Sequence, residues 1–415
     1  GAFLSGHSMR RIPSLALVAC LLAVATAAPA DEVPVCGVRR PELAGFDALM
    51  TSFVREHDVP GAALAVARHG RIVYARGFGL ADREAGAPVR PESLFRIASI
   101  SKPITAAAIL TLVERGTLDV DVRVFDLLHL DGRVPAGAKL DPRWREVTVL
   151  QLLRHAGGWD RGRSFDPMFR AVAFARQAGI TPPAGPPEII RAMLGVPLDF
   201  DPGARTAYSN FGYCLLGRVI EAVSGRDYET FVRAEVLAPL RIHAMRLGRT
   251  RIEDRAAGEV RYYEARPPVG HSVFAADLDQ TVPTTYGTWN HEALDAHGGW
   301  IASAADLVRF GAALDADAAP RLLGPRMVEL LFARPEGQAG YQEDGTPKPA
   351  YYACGWNVRI VGPGRINTWH TGALPGTSTL LVRRHDGLTW AVLFNTRSGS
   401  SRTDLAGLID PLLHV

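Results

Sequence analysis

The sequence predicts an α+β fold in which an antiparallel sheet, built from both termini and flanked by helices, accompanies a mainly helical inserted domain. Three observations support this prediction: a hairpin pattern near each end of the chain, a helical pattern at each end, and a long helical, proline-containing stretch between them. Because the strand signals cluster at the ends and do not alternate with helices, repeated βαβ units are excluded.

The first hairpin is predicted from two apolar, β-prone runs, Gly61–Ala67 and Ile72–Gly77, on either side of the turn-forming residues 68–71. A helix is predicted over Leu43–Glu56, because its apolar residues recur with helical spacing. Near the other end, Thr379–Arg383 and Leu388–Asn395 flank a second turn, His385-Asp386-Gly387, and a last helix is predicted over Asp404–Leu413.

These patterns define the expected domains. The sheet domain comprises residues 31–98 and 298–415, and the helical domain comprises residues 99–297. Within the helical domain, residues 251–297 show little periodicity and many Gly, Pro, Tyr and Asp residues, so we expect an elaborated loop there.

The N-terminus has the pattern of a secretory signal. Residues 1–8 are interpreted as a cloning remnant, and residues 9–30 as a signal peptide with two arginines, an apolar run and the cleavage sequence Ala28-Pro29-Ala30. The apolar run is too short for a membrane span, so the mature protein is expected to be periplasmic or secreted. A minor alternative is a lipoprotein attached through Cys20.

Composition excludes several classes of protein. The chain has 415 residues, is 47% hydrophobic and 21% charged, and is therefore neither disordered nor fibrous. Its 46 basic residues are interspersed with 43 acidic ones, so no nucleic-acid partner is expected. Cys36, Cys214 and Cys354 have no metal-ligand spacing, and no metal or cofactor is predicted; one disulfide among them stays open.

Lysine is rare in this sequence. The only lysines are Lys102, Lys139 and Lys348, and every other basic residue counted is arginine. A position that holds lysine is therefore a candidate for chemistry that arginine cannot perform, above all the loss of a proton.

The first chemical motif is Ser99-Ile-Ser-Lys102. A buried helix is predicted from Ser101 to Arg115, and Pro103 is tolerated only in its first turn, so the helix begins near Ser99. A serine at a helix N-terminus has free backbone N–H groups beside it, and Lys102 returns to the same face one turn later. If burial lowers its pKa, Lys102 can act as the base for the serine hydroxyl.

Two further motifs complete the set. Tyr208-Ser-Asn210 precedes a predicted helix, and a tyrosine beside a lysine can serve as a base or proton shuttle. His370-Thr371-Gly372 lies on a predicted strand, where the glycine permits close approach of a ligand backbone.

In this order, the three motifs resemble those of the penicillin-recognising serine hydrolases, in particular the branch of class C β-lactamases, D,D-carboxypeptidases, D-amino-acid amidases and family VIII carboxylesterases. The resemblance extends over residues 43–413, and two flanking stretches at 152–158 and 298–307 are similar to stretches common in that branch. It implies a β-lactamase/transpeptidase-like fold with a cleft between the two domains.

The resemblance also implies the roles of the residues. Ser99 would be acylated, Lys102 and Tyr208 would share proton transfer, and Asn210 would position the substrate. His370, Thr371 and Gly372 would line the substrate strand, and the backbone N–H groups of Ser99 and Ala373 would form the oxyanion hole. The catalytic residues would thus be Ser99, Lys102 and Tyr208, and the substrate-binding residues would be Asn210, His370, Thr371 and Gly372.

The third motif departs from that of most β-lactamases, which carry Lys-Thr-Gly where this chain has His370. A histidine supplies a weaker, pH-dependent cation for a substrate carboxylate. We therefore expect hydrolysis of small esters or D-amino-acid amide and peptide bonds. The alternatives are a true β-lactamase of broad or weak activity and a non-catalytic penicillin-binding or scaffold protein on the same fold.

Other hydrolase signatures are missing from the sequence, which has no G-x-S-x-G or H-E-x-x-H motif and no phosphate-binding glycine loop. His155 is interpreted as structural rather than chemical. The natural substrate and the oligomeric state have no signal in the sequence.

Overall fold

The structure, a computed structural model, describes residues 1–2, 32–401 and 403–414. The predicted signal peptide at residues 9–30, with Cys20, and most of the predicted remnant at residues 1–8 lie outside the described residues, so both stay predictions. Val33–Val415 forms one compact unit. The division of this unit into a sheet domain and a helical domain also stays a prediction.

The longer strands of the described part lie at residues 61–82 and 357–394, and the others have two or three residues. In chain order they are Val35–Cys36 (β1), Gly61–Arg68 (β2), Arg71–Asp82 (β3), Ala87–Pro88 (β4), Phe95–Arg96 (β5), Arg246–Leu247 (β6), Val269–His271 (β7), Thr281–Pro283 (β8), Trp300–Ala302 (β9), Ala350–Tyr352 (β10), Asn357–Gly362 (β11), Arg365–Leu374 (β12), Thr377–Arg383 (β13) and Leu388–Phe394 (β14).

The main sheet has the strand order β1-β3-β2-β14-β13-β12-β11-β10, with β4 attached to β3. Every pairing along it is antiparallel, and β2, from the N-terminal part, pairs with β14, from the C-terminal part. The prediction of an α+β fold with an antiparallel sheet built from both ends of the chain is confirmed.

The helices lie mostly between the two groups of strands, with one at each end of the chain. The α-helices described are Ala44–Glu56 (α1), Ser101–Glu114 (α2), Val124–Leu127 (α3), Val149–Leu153 (α4), Ala171–Ala178 (α5), Pro186–Met193 (α6), Asn210–Ser224 (α7), Tyr228–Val232 (α8), Asp295–Gly298 (α9), Ala304–Ala312 (α10), Pro325–Phe332 (α11) and Leu405–Leu413 (α12).

Strand β2 shows how the sheet separates two cores. Its side chains alternate between the faces, as the two-residue period of a strand requires. The residues of one face, Ala62, Leu64 and Val66, contribute to a cluster with α1 and α12. The residues of the other face, Ala63, Ala65 and Ala67, contribute to the larger cluster that contains the helices of the middle of the chain.

The turn between β2 and β3 explains why the position of the first hairpin could be predicted from the sequence. His69 has φ +47° and Gly70 has φ +74°, so both turn residues adopt the left-handed conformation. Two consecutive left-handed residues form the tight turn whose twist matches that of the paired strands, and glycine adopts this conformation without steric cost.

Several strand pairings of the fold were not predicted, among them the three-stranded sheet of order β5-β9-β6. The loop at residues 251–297 contains a hairpin of β7 and β8, and β10 and β11 extend the main sheet beyond β12. Strands β7, β8 and β10 have only three residues each, which is too short for an alternating apolar pattern to be recognised.

In the described part of the chain, no helix is long and apolar enough to cross a membrane. Cys36, Cys214 and Cys354 are all free thiols in the structure, and the two latter are buried.

Candidate active site

Ser99 lies in a 3-10 turn, Ala98–Ile100, that leads directly into α2. Ala98 has φ +46°, a left-handed conformation that non-glycine residues seldom adopt and that is concentrated at functional sites. The residues on both sides of Ser99 are buried, whereas Ser99 itself is partly exposed. The turn therefore presents one hydroxyl to solvent at the start of a buried helix.

Lys102 is fully buried and follows Ser99 by one turn. Its Nζ donates to Ser99 Oγ at 3.1 Å, to Asn210 Oδ1 at 2.8 Å and to the backbone oxygen of His297 at 2.9 Å. Burial lowers the pKa of Lys102 well below its usual range, Asp166 opposes this shift, and Arg161 adds to it. An amine with a lowered pKa is available as a proton acceptor.

Tyr208, just before α7, contacts the same Ser99 hydroxyl as Lys102. Its OH group donates to Ser99 Oγ at 2.8 Å. Burial raises the pKa of the Tyr208 phenol, and the hydrogen bond to Ser99 and the charge of Arg161 oppose the increase. The phenol is therefore protonated at neutral pH and available as a proton donor.

Asn210 links Lys102 to an acid that the sequence analysis did not identify. Its Oδ1 accepts from Lys102, and its Nδ2 donates to Asp166 Oδ2 at 2.6 Å. The Asp166 carboxylate can only accept a hydrogen bond, so it binds the NH₂ end of the Asn210 amide. The oxygen end of the amide is thereby directed towards Lys102. No motif surrounds Asp166, so no signal in the sequence could have found it.

The third motif lies on β12, beside the Ser99 turn. Strand β11 pairs with β12 only between residues 365 and 369, so the part from His370 onward has no strand partner on this side. Gly372 is so close to the turn that an added Cβ would stand 2.2 Å from the backbone oxygen of Ile97. Thr371 is exposed, and Ala373 follows at the half-buried end of the strand.

His370 differs from the cation that was expected. It is 3% exposed, its Nδ1 lies 2.6 Å from the backbone oxygen of Thr371, and its Nε2 lies 3.0 Å from the Tyr352 hydroxyl. Because Nδ1 must donate to a carbonyl, Nε2 accepts from Tyr352. Burial, with the charge of Lys102, lowers the pKa of His370 to about 3, so the imidazole is uncharged at neutral pH. The expectation of a pH-dependent cation in the physiological range is corrected accordingly.

His155 supports the second motif. Its Nδ1 accepts the backbone N–H of Ser209 at 3.2 Å, its backbone oxygen accepts from the N–H of Ala207, and its ring lies 4.4 Å from that of Tyr208. Burial lowers the pKa of His155 well below its usual range, so it packs as an uncharged ring. These contacts agree with the structural interpretation of His155.

Arg161 is the second residue near the site that the sequence did not indicate. Its guanidinium carbon lies 4.6 Å from the centre of the Tyr208 ring, and Lys102 Nζ lies at the same distance from that centre. The Arg161 side chain is half exposed, and its Nη1 lies 3.8 Å from Asp166 Oδ2. Among so many arginines, no pattern in the sequence distinguishes this one.

The structure thus brings Ser99, Lys102, Tyr208 and Asn210 into one hydrogen-bonded group, with the third motif alongside. Within the described residues, no group of three or more His, Cys, Asp or Glu side chains has the arrangement of a metal site.

Comparison with known proteins gives consistent results. Residues 46–413 match the family model described as Beta-lactamase. Esterase EstB from Burkholderia gladioli is 37% identical over 205 residues, which cover 48% of this chain and 49% of the esterase. Penicillin-binding protein 4* from Bacillus subtilis is 29% identical over 346 residues, 81% of this chain and 68% of that protein. The match to the esterase therefore covers about half of its length.

Among solved structures, the D-amino acid amidase from Ochrobactrum anthropi complexed with D-phenylalanine superposes with a TM-score of 0.66 at 21% identity, covering 89% of this chain and 98% of the amidase. This likeness concerns the fold. Because the family match extends over nearly all of the described compact unit, the chain belongs to the Beta-lactamase family, and the prediction of a β-lactamase-related serine hydrolase is confirmed at the level of the family.

Proposed function

We propose that the chain hydrolyses small esters or D-amino-acid amide and peptide bonds through an acyl-enzyme on Ser99. The observation that carries the proposal is that Ser99 Oγ lies within hydrogen-bond distance of both Lys102 Nζ, at 3.1 Å, and Tyr208 OH, at 2.8 Å. A serine hydroxyl becomes a nucleophile when a base beside it removes its proton, and this site offers a buried lysine for that task.

Acylation begins when Lys102 takes the proton of Ser99 and Oγ attacks the substrate carbonyl. The tetrahedral intermediate carries a negative oxygen, for which the backbone N–H groups of Ser99 and Ala373 form the proposed oxyanion hole. The intermediate then collapses, and the bond to the leaving alcohol or amine breaks. Tyr208 donates a proton to the leaving group, and the proton that Lys102 took from Ser99 is passed back to the Tyr208 phenolate.

Deacylation reverses these roles. A water molecule gives a proton to Lys102 and attacks the acyl carbon. The bond between that carbon and Ser99 Oγ then breaks as Oγ regains a proton from Lys102. Asn210 is proposed to orient the substrate and to hold Lys102, and His370, Thr371 and Gly372 to line the substrate strand. His370 supplies a polar, uncharged surface there, which weakens the case for substrates that need a cation at the third motif.

Names of the relatives support the substrate classes. They include an esterase, a penicillin-binding protein and a D-amino acid amidase. A true β-lactamase is the second candidate, and the uncharged His370 argues against efficient turnover of β-lactams. A rate panel separates the two candidates: a short-chain aryl ester, a D-Ala-D-Ala peptide and a chromogenic cephalosporin are compared. The cephalosporin as best substrate by a wide margin would overturn the proposal.

Covalent labelling tests the acyl-enzyme itself. A fluorophosphonate or fluorescent penicillin should label the wild-type protein and should fail to label Ser99→Ala. Ser101→Ala removes a neighbouring buried hydroxyl and should keep the label, which makes it the matched control. If the wild-type protein is not labelled by either probe, the alternative of a non-catalytic protein on the same fold is favoured.

Export from the cytoplasm is part of the proposal. It rests on the signal-like pattern of residues 9–30. N-terminal sequencing of protein recovered from the periplasm should begin at Asp31. A blocked N-terminus at Cys20 would favour the lipoprotein alternative, and recovery from the cytoplasm with residues 9–30 intact would contradict export.

A further inference from the structure

Two basic side chains lie near the ring of Tyr208, and only one of them, Lys102, belongs to the three motifs. Lys102 Nζ and the Arg161 guanidinium carbon each lie 4.6 Å from the centre of the Tyr208 ring. A cation at this distance from an aromatic ring is attracted to it, and more strongly when the ring carries a negative charge. The surroundings of Tyr208 therefore favour its phenolate more than those of an ordinary buried tyrosine.

The other ionisable groups around Tyr208 do not supply a charge of this kind. His155 and His370 pack against its ring, and burial lowers the pKa of both, so they are uncharged. Tyr352 packs edge-on against the ring, and burial raises its pKa. Among the described residues, the acid that acts on the Tyr208 pKa is Asp166, which binds Asn210, and its effect is smaller than that of Arg161.

We propose that Arg161 is a positioning residue that stabilises the phenolate formed when Tyr208 gives its proton to the leaving group. The inference rests on the proposed function, since it concerns the second half of the acylation step. The O–H bond of Tyr208 breaks, a new N–H or O–H bond forms on the leaving group, and the negative charge left on the phenolate lies beside the guanidinium until Tyr208 regains a proton.

Position and exposure suit Arg161 to this role. It lies outside the three motifs, in the loop between α4 and α5, and its only ion-pair partner among the described residues is Asp166 at 3.8 Å. This separation is longer than that of a direct hydrogen bond. Asp166 therefore neutralises the guanidinium only in part, and the cation can still interact with the Tyr208 ring. Arg161 thus provides a permanently charged cation in a site where the third motif has an uncharged histidine.

The test uses two substrates with one acyl group, N-acetyl-D-alanine p-nitrophenyl ester and N-acetyl-D-alanine methyl ester. The p-nitrophenolate departs without a proton, whereas the methoxide must be protonated. Arg161→Gln should therefore lower kcat/KM roughly tenfold for the methyl ester and less than about threefold for the p-nitrophenyl ester. Arg161→Lys keeps the charge and should restore most of the methyl ester activity.

The pH profile gives a second readout. Removing a cation near Lys102 raises the pKa of its amine, so the rising limb of kcat/KM should move to higher pH, by about half a unit, in Arg161→Gln. The matched control is Arg170→Gln, which removes another exposed arginine on an aromatic ring, Phe165, in the same segment. This control should change neither the ratio of the two rates nor the limb.

Each other outcome contradicts the inference. An equal loss for both esters with an unchanged limb would mean that Arg161 only maintains the loop. A loss confined to KM, and to substrates that carry a carboxylate, would mean that Arg161 binds the substrate. Failure of the proposed function is distinguished independently, because wild-type protein would then show neither hydrolysis nor labelling at Ser99.

Discussion

Lys102 is the residue on which the proposed chemistry depends most. Its Nζ lies within hydrogen-bond distance of three oxygens inside the protein, and burial lowers its pKa. Lys102→Arg keeps a positive charge but cannot release a proton near neutral pH. We expect kcat/KM for an aryl ester to fall by roughly three orders of magnitude.

The control for this substitution is Lys139→Arg, at an exposed position, which should keep wild-type activity. Circular dichroism and Tm establish whether Lys102→Arg folds. A folded Lys102→Arg protein with wild-type turnover would contradict the mechanism.

Asp166 offers a prediction about orientation. Asp166→Ala removes the acceptor of Asn210 Nδ2, so the amide can rotate and present its NH₂ group to Lys102. We expect kcat to fall roughly ten- to a hundredfold with little change in KM. Asp166→Asn keeps an acceptor oxygen and should retain most of kcat. Steady-state kinetics of the two variants measures the difference, and an equal loss in both would exclude an orienting role.

Residue types and spacing located Ser99, Lys102, Tyr208 and Asn210 in the sequence, because each belongs to a short motif with a chemical reason for its composition. Asp166 and Arg161 could not be found in this way. They reach the site through the path of one loop, and their types are among the commonest in the chain. The charge state of His370 could not be predicted from the sequence either, since it depends on the burial of the imidazole and on the nearby charge of Lys102.

At the scale of elements, β12 packs closely against the segment that leads into the Ser99 turn. An added Cβ at Gly372 would stand 2.2 Å from the backbone oxygen of Ile97 and 2.4 Å from Thr379 Oγ1. Gly372→Ala should therefore push the strand away from the turn, lower the free energy of unfolding by about 1–3 kcal/mol and reduce kcat/KM at least tenfold. Urea unfolding and ester hydrolysis measure the two effects.

A matched control lies on the neighbouring strand. An added Cβ at Gly362 has Arg365 side-chain atoms as its nearest neighbours, at 3.6 Å, so Gly362→Ala should be tolerated in both measurements. Wild-type stability and activity in Gly372→Ala would show that the close approach is not needed.

The elements near the ends of the chain were predicted well because they are long and amphipathic or end in recognisable turns. The predicted helix at 43–56 and strand at 61–67 agree with α1 and β2 to within one residue at each end. The hairpin of β7 and β8 was missed, because its pairing is determined by tertiary contacts rather than by a local pattern.

At the scale of the whole molecule, buried histidines make stability depend on pH. Burial lowers the pKa of four histidines below the usual 6.5: His155, His291, His297 and His370. In the unfolded chain they take up protons as the pH falls below 6.5, whereas in the folded chain they remain unprotonated, so acid favours unfolding.

We expect the free energy of unfolding to fall between about pH 6.5 and 4.5, by up to about 1.4 kcal/mol per pH unit from each histidine. Urea unfolding at a series of pH values measures the slope. In the described structure, Nε2 of His297 has no hydrogen-bond partner, so His297→Gln removes a buried imidazole without breaking a bond of that atom and should reduce the slope. His385 is exposed, and His385→Gln should leave the slope unchanged. Stability that stays constant across this range would contradict the prediction.

The pairing of β2 with β14 has a consequence for how the protein is made. Ala62 is paired with Phe394, so the centre of the sheet cannot close until residue 394, more than 300 positions later in the chain, has left the ribosome. Until then, the hairpin of β2 and β3 has an open edge that can associate with other chains. Contacts between such distant residues also make folding slow. Closure of the central sheet therefore waits for β14, and β12, which carries the third motif, joins the same sheet through β13.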